Sequence, residues 1–126
     1  MSYFLDRKFA QILKDCNEVG WDGYGAKIIT PETIAVAKVF ANLVDSYIPL
    51  LNEDEPMPCN DNVIGFEWEV EPNHASWLIV CVGVEGCYYA SSFRGTPEYK
   101  GKFQMPDVPP TIFTLLERIK LEKEAQ

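Results

Sequence analysis

An α+β fold is predicted by three features of the chain: helical periodicity at both ends, strict two-residue alternation in the middle, and a glycine-marked hairpin within that middle. The element order is α-α-β-β-β-(β)-α, an antiparallel meander of three to four strands packed on helices. A length of 126 residues suits one domain with one core, because two halves would each bury too little apolar surface. Apolar residues form 47% of the chain, and seven Phe, six Tyr and three Trp can fill that core, which argues against global disorder.

Near the N-terminus Leu5, Phe9, Ile12, Leu13 and Cys16 recur at spacings of three and four, with Asp6, Arg7, Lys14 and Asp15 between them. This predicts an amphipathic helix over 3–18. Gly20, Gly23 and Gly25 then break the pattern. A second helix starts at Thr30-Pro31, a hydroxyl cap followed by proline at the first helical position. Its apolar face is Ile34, Ala37, Phe40, Leu43 and Val44, and it ends before Pro49. The acidic segment Asn52–Pro58 reads as a surface connection.

From Ile64 the period changes to two. Ile64, Phe66, Trp68 and Val70 alternate with Gly65, Glu67, Glu69 and Glu71, which gives a strand with one buried face. A turn at Pro72-Asn73-His74, a strand Ser76–Val84, a two-residue turn at Glu85-Gly86 and a strand Cys87–Phe93 follow. A short fourth strand fits near Tyr99–Met105. The last helix opens around Pro109-Pro110-Thr111 and uses Ile112, Leu115, Leu116 and Ile119; its charged end, Lys120–Gln126, is expected to fray.

The register follows from keeping carboxylates out of the core. Trp68 then pairs with Leu78 and Phe66 with Val80. The two-residue turn would pair Val84 with Cys87, Val82 with Tyr89, Val80 with Ser91 and Leu78 with Phe93. One face holds Ile64, Phe66, Trp68, Leu78, Val80, Val82, Tyr89 and Phe93. The other holds Glu67, Glu69, Glu71, Trp77, Ile79, Cys81 and Tyr88, so Cys81 and Cys87 face opposite ways and should not form a disulfide. Carboxylates beside Trp77, Ile79 and Tyr88 suggest a contact surface, although a folded-over segment would also account for those apolar groups.

Charge is distributed unevenly. The net charge is −8, yet Val39–Phe93 contains no Lys or Arg and nine of the acids, while the remainder is nearly neutral. Direct nucleic-acid binding is disfavoured there, because phosphates need cationic partners. A basic protein surface is the favoured partner. No apolar run approaches the roughly 20 residues of a membrane span, and the N-terminus lacks a secretory pattern. Cys16, Cys59, Cys81 and Cys87 show no CxxC spacing and read as buried free thiols of a reducing, cytoplasmic compartment.

Few residues are arranged for catalytic chemistry. His74 is the one histidine, it sits in a turn, and no Ser occupies a nucleophile-elbow setting. Glu67 and Glu69 share a strand face but show no opposed environments of the kind acid/base pairs need. Glu53-Asp54-Glu55 lacks the spacing and glycine of a calcium loop. No cofactor or metal is expected. The loop Trp21-Asp22-Gly23-Tyr24-Gly25-Ala26 is read as structural: its glycines allow positive φ, Asp22 can bind backbone amides, and Trp21 can anchor on the core.

That loop (W-D-G-x-G-A), with a short helix before it, a Pro31-led helix after it and a strand carrying Glu67-Trp68, resembles a family of small bacterial proteins. The likeness spans roughly residues 5–93. No activity is established for that family, so the resemblance implies a bacterial, prophage or mobile-element context and supplies no catalytic residue. A small acidic protein of this kind is also similar to the inhibitors phages direct against bacterial defence, including anti-CRISPR proteins and nucleic-acid mimics. The leading expectation is a non-enzymatic inhibitor or regulator, antitoxin-like or immunity-like, that engages a basic protein surface. The alternatives are a homodimeric structural or regulatory protein and a carboxylate- or metal-dependent enzyme.

Overall fold

The computed structural model describes residues 3–47, 56–70, 76–94 and 98–125. Helix α1 (Tyr3–Asp15) buries Leu5, Phe9 and Ile12 along one stripe. It ends before the predicted residue 18, and just past its end the Ile29 amide of the returning chain donates to the Cys16 carbonyl at 2.9 Å. Helix α2 (Pro31–Tyr47) opens as expected, with the Thr33 amide donating to Thr30 Oγ1 at 3.2 Å. Its buried face is Ile34, Ala37, Phe40, Ala41 and Val44. Leu43, expected on that face, is exposed. Helix α3 (Pro110–Glu124) buries Ile112, Leu115, Leu116 and Ile119 and is helical as far as Glu124, into the segment expected to fray.

Five antiparallel strands form one sheet in sequence order: β1 (Met57–Cys59), β2 (Val63–Val70), β3 (Ser76–Val82), β4 (Cys87–Ser92) and β5 (Tyr99–Phe103). With the helices this is an α+β fold of order α-α-β-β-β-β-β-α. Strand β5 is the short additional strand foreseen from the sequence. Strand β1 departs from the sequence expectation, which places Met57 and Pro58 in a surface connection. It forms because Asn60-Asp61-Asn62 closes a three-residue hairpin, with Asn62 at φ 59, so that Cys59 pairs with Val63. Pro58 is tolerated because β1 lies at the sheet edge.

The β2–β3 register matches expectation, with Phe66 opposite Val80 and Trp68 opposite Leu78. The β3–β4 register differs by two residues: Leu78 pairs with Ser91 and Val80 with Tyr89, and Gly83–Gly86 connect the strands. Gly83 follows the end of β3 at a place where no side chain would fit. A Cβ on it would stand 2.7 Å from Val63 Cγ1 and 3.1 Å from the Asn62 carbonyl oxygen. A slip of two preserves both faces, so the same side chains remain in the core. The connection at Pro72–His74, Glu71 and the acidic run Glu53–Glu55 lie outside the described residues.

All three helices contribute to one core cluster with the even-numbered residues of β2 and β3, namely Ile64, Phe66, Trp68, Val70, Leu78, Val80 and Val82. Phe66 joins the layers. Its ring lies 5.1 Å from Phe40 of α2, 6.4 Å from Phe9 of α1 and 6.3 Å from Trp68, centroid to centroid. The odd-numbered residues of β2 and β3 point away from this cluster, and none of them belongs to it.

Candidate functional site

The outer face of the sheet is organised in cross-strand rows. Glu69, Trp77 and Ser92 form one; Glu67, Ile79, Ala90 and Lys100 form the next; Gly65, Cys81, Tyr88 and Lys102 form a third. An open groove of about 480 Å³ runs along it, lined by Glu67, Glu69, Trp77 and Ile79. Two carboxylates therefore border one side of the groove and two apolar side chains the other. All four are half-buried. No helix residue lines the groove among the described residues.

Of the six residues proposed for partner contact, four meet in this groove. Tyr88 lies one row away and is 47% exposed. Glu71 falls outside the described residues. The one-dimensional charge map missed Lys100 and Lys102, which follow the base-free stretch in the chain but return on β5 to the same face. Their spacing in Tyr99-Lys100-Gly101-Lys102-Phe103 is the two-residue signal that could have placed them. The face is acidic along β2 and basic along β5, with Ile79, Trp77 and Tyr88 between.

The Trp21–Ala26 loop stands apart from the sheet face. Asp22 Oδ1 accepts hydrogen bonds from the Tyr24 amide at 2.8 Å and the Ala26 amide at 3.1 Å, and Trp21 Nε1 donates to the Lys27 carbonyl at 2.7 Å. Gly20, Gly23 and Gly25 take φ of 81°, 84° and 86°, values that favour glycine. Tyr24 projects at the tip, 94% exposed.

The third outer-face row holds a second polar cluster. Cys81, 2% exposed, has the Cys59 thiol and the Tyr88 hydroxyl as its polar neighbours. The Cys59 bond holds the Cys81 thiol down to about 7 against the opposing effect of burial, and Tyr88 assists. Cys59 is pushed up, first by its bond to Cys81 and then by burial; Tyr88 is pushed up to about 12, first by its bond to Cys81. Of the three groups, Cys81 is the one shifted towards ionisation. Because its folded value lies below the ordinary 9.0, its ionisation adds stability that is fully present above pH 9 and lost as pH falls through 7. Titration of thiolate ultraviolet absorbance is expected to show one group per chain with a midpoint near 7. In Cys59→Ala that midpoint should move up towards the ordinary value. A wild-type protein with no thiolate until about pH 9 would contradict this arrangement.

Among the described residues no group of three or more His, Cys, Asp or Glu side chains converges as a metal cluster, and no helix is long and apolar enough to cross a membrane. Comparison with known proteins returns no matching family model, no similar curated protein and no similar solved structure.

Proposed function

We propose that the chain is a non-enzymatic protein-binding module whose outer sheet face engages a basic protein surface. The observation that supports this most directly is the groove in which Glu67 and Glu69 border Trp77 and Ile79. Aromatic and aliphatic groups give such a face desolvation energy, and adjacent carboxylates select a cationic partner and speed its approach. The setting we favour is a bacterial or phage-encoded inhibitor or regulator of the anti-defence, antitoxin-like or immunity-like kind. That choice rests on the small size, the net charge of −8 and the Trp21–Ala26 loop motif.

A second reading has its own support. Glu67 and Lys100 lie in one cross-strand row, at opposite sides of the face. A two-fold axis parallel to the strands and between β3 and β4 would set Glu67 of one copy against Lys100 of the other, so the face is also complementary to itself.

One set of variants separates the two. A Glu67→Lys/Glu69→Lys bait, run beside wild type at low and high salt, is expected to lose the retained partner by roughly tenfold or more, and salt should weaken the wild-type complex. Trp77→Ala should weaken it comparably, as an aromatic anchor. Light scattering on the same proteins reads the dimer. A dimer that Glu67→Lys dissociates and Glu67→Lys/Lys100→Glu restores supports self-association, and a monomer throughout removes it. A partner retained equally by the double reversal would defeat the heterologous reading.

A further inference from the structure

The two edges of the sheet are not alike. Strand β1 is three residues long and carries Pro58, which has no N–H to offer a neighbouring strand. Strand β5 runs for five residues, Tyr99-Lys100-Gly101-Lys102-Phe103, without a proline. One side of its backbone pairs with β4 along all five positions. Outside that ladder, no backbone–backbone hydrogen bond reaches Tyr99–Phe103 among the described residues. The one side-chain bond to this backbone also comes from β4, where Ser91 Oγ donates to the Tyr99 carbonyl at 3.2 Å. The other side of β5 therefore presents amide and carbonyl groups at strand spacing, ready to pair.

Side chains along this edge alternate in character. Lys100 and Lys102 stand on the outer face, exposed, and neither forms an ion pair among the described residues. The inner face is aromatic. Tyr99 is 45% exposed and Phe103 is half-buried against the core. Between them the Tyr89 ring lies against Gly101, so closely that a Cβ there would stand 2.9 Å from Tyr89 Cε1.

Lysines on an edge strand ordinarily keep other strands away. Here they would choose among them. A second copy adding its β5 antiparallel about Gly101 would set Lys100 of each copy against Lys102 of the other, like charges directly opposite. A strand with carboxylates at the same two-residue spacing meets both lysines in favourable cross-strand pairs. Its alternate residues then lie beside Tyr99 and Phe103, where apolar groups are favoured. We propose that the β5 edge accepts, as a sixth strand of the sheet, an extended protein segment in which acidic and apolar residues alternate. Main-chain hydrogen bonds to Tyr99–Phe103 supply the attachment, and Lys100 and Lys102 supply the choice of partner. This surface is the sheet edge and not the groove between β2 and β3, so it stands if the reading of the groove fails.

The test uses the full isotope-labelled chain and two capped synthetic peptides, one alternating glutamate with valine and the other lysine with valine. Nuclear magnetic resonance reads the affinity, and amide hydrogen exchange reads the place of binding. The glutamate peptide is expected to slow exchange at the outward-facing amides of β5 and to leave those of β1 unchanged. The lysine peptide should bind about tenfold more weakly or worse. A glutamate peptide N-methylated at alternate residues keeps its charge but cannot complete a ladder, and its binding should be lost. Lys100→Glu/Lys102→Glu should reverse the preference, so that the lysine peptide binds better. Both lysines are exposed, and the measurements on wild type need no variant to fold. No protection at β5, equal binding of the glutamate and lysine peptides, or undiminished binding of the N-methylated peptide would each overturn the proposal.

Discussion

Phe66→Ala is expected to lower the free energy of unfolding by about 3–5 kcal/mol, the range for truncating a buried aromatic residue. The ring is 1% exposed and touches a ring from each of α1 and α2 and the indole of its own strand neighbour, at 6.4, 5.1 and 6.3 Å. Three elements would each lose a contact, and none can collapse into the space without leaving the others. Such a loss is a large fraction of the roughly 5–15 kcal/mol that stabilises an ordinary domain. Urea unfolding followed by far-ultraviolet dichroism reads it directly. Phe66→Leu, which keeps most of the volume, should lose much less. A loss below about 1 kcal/mol for the alanine variant would mean that Phe66 does not join the helices to the sheet as described.

Asn62→Ala is expected to cost about 2–5 kcal/mol for a different reason. Asn62 sits at φ 59 in the β1–β2 turn, where alanine pays about 1–2 kcal/mol. Its Oδ1 accepts from the Thr30 amide at 2.9 Å, its Nδ2 donates to Thr30 Oγ1 at 3.3 Å, and its carbonyl accepts from Thr33 Oγ1 at 3.2 Å. The side chain thus ties the hairpin to the cap of α2, and a part-buried amide left without its acceptor costs about 1–3 kcal/mol. Asn62→Gly separates the two contributions, because glycine tolerates the backbone angle but cannot bond Thr30. Glycine should recover about the strain share of the loss in thermal unfolding. If glycine and alanine destabilise equally, backbone strain is not part of the account.

The parts of the fold legible in the sequence are those where burial forces a choice. A one-residue slip of β2 against β3 would put Glu67 and Glu69 into the core, so alternation alone determines that pairing. A two-residue slip of β4 moves nothing between faces, so alternation says nothing about it. Strand β1 is three residues long, contains Pro58 and depends on one left-handed asparagine, too little for periodicity to register. Because β1 was hidden, so was the meeting of Cys59 with Cys81. The groove fared better, since Glu67, Glu69, Trp77 and Ile79 follow from the same alternation that sets the register. The lysines of β5 did not, because distance along the chain concealed their return to the same face.

The strands lie in the sheet in the order in which they are synthesised, each pairing with its immediate predecessor. Every strand contact is therefore local, and such hairpins close quickly. The apolar cluster they cover is not local: it takes in Leu5, Phe9 and Ile12 of α1 together with Ile112, Leu116 and Ile119 of α3. A nascent chain that has emerged only as far as β5 can hold its ladder but leaves Leu78 and Phe93 without the helix that seals them. Sealing of this core during synthesis therefore waits on α3, and until that helix arrives the side of the sheet most in need of cover is the side opposite its proposed partner.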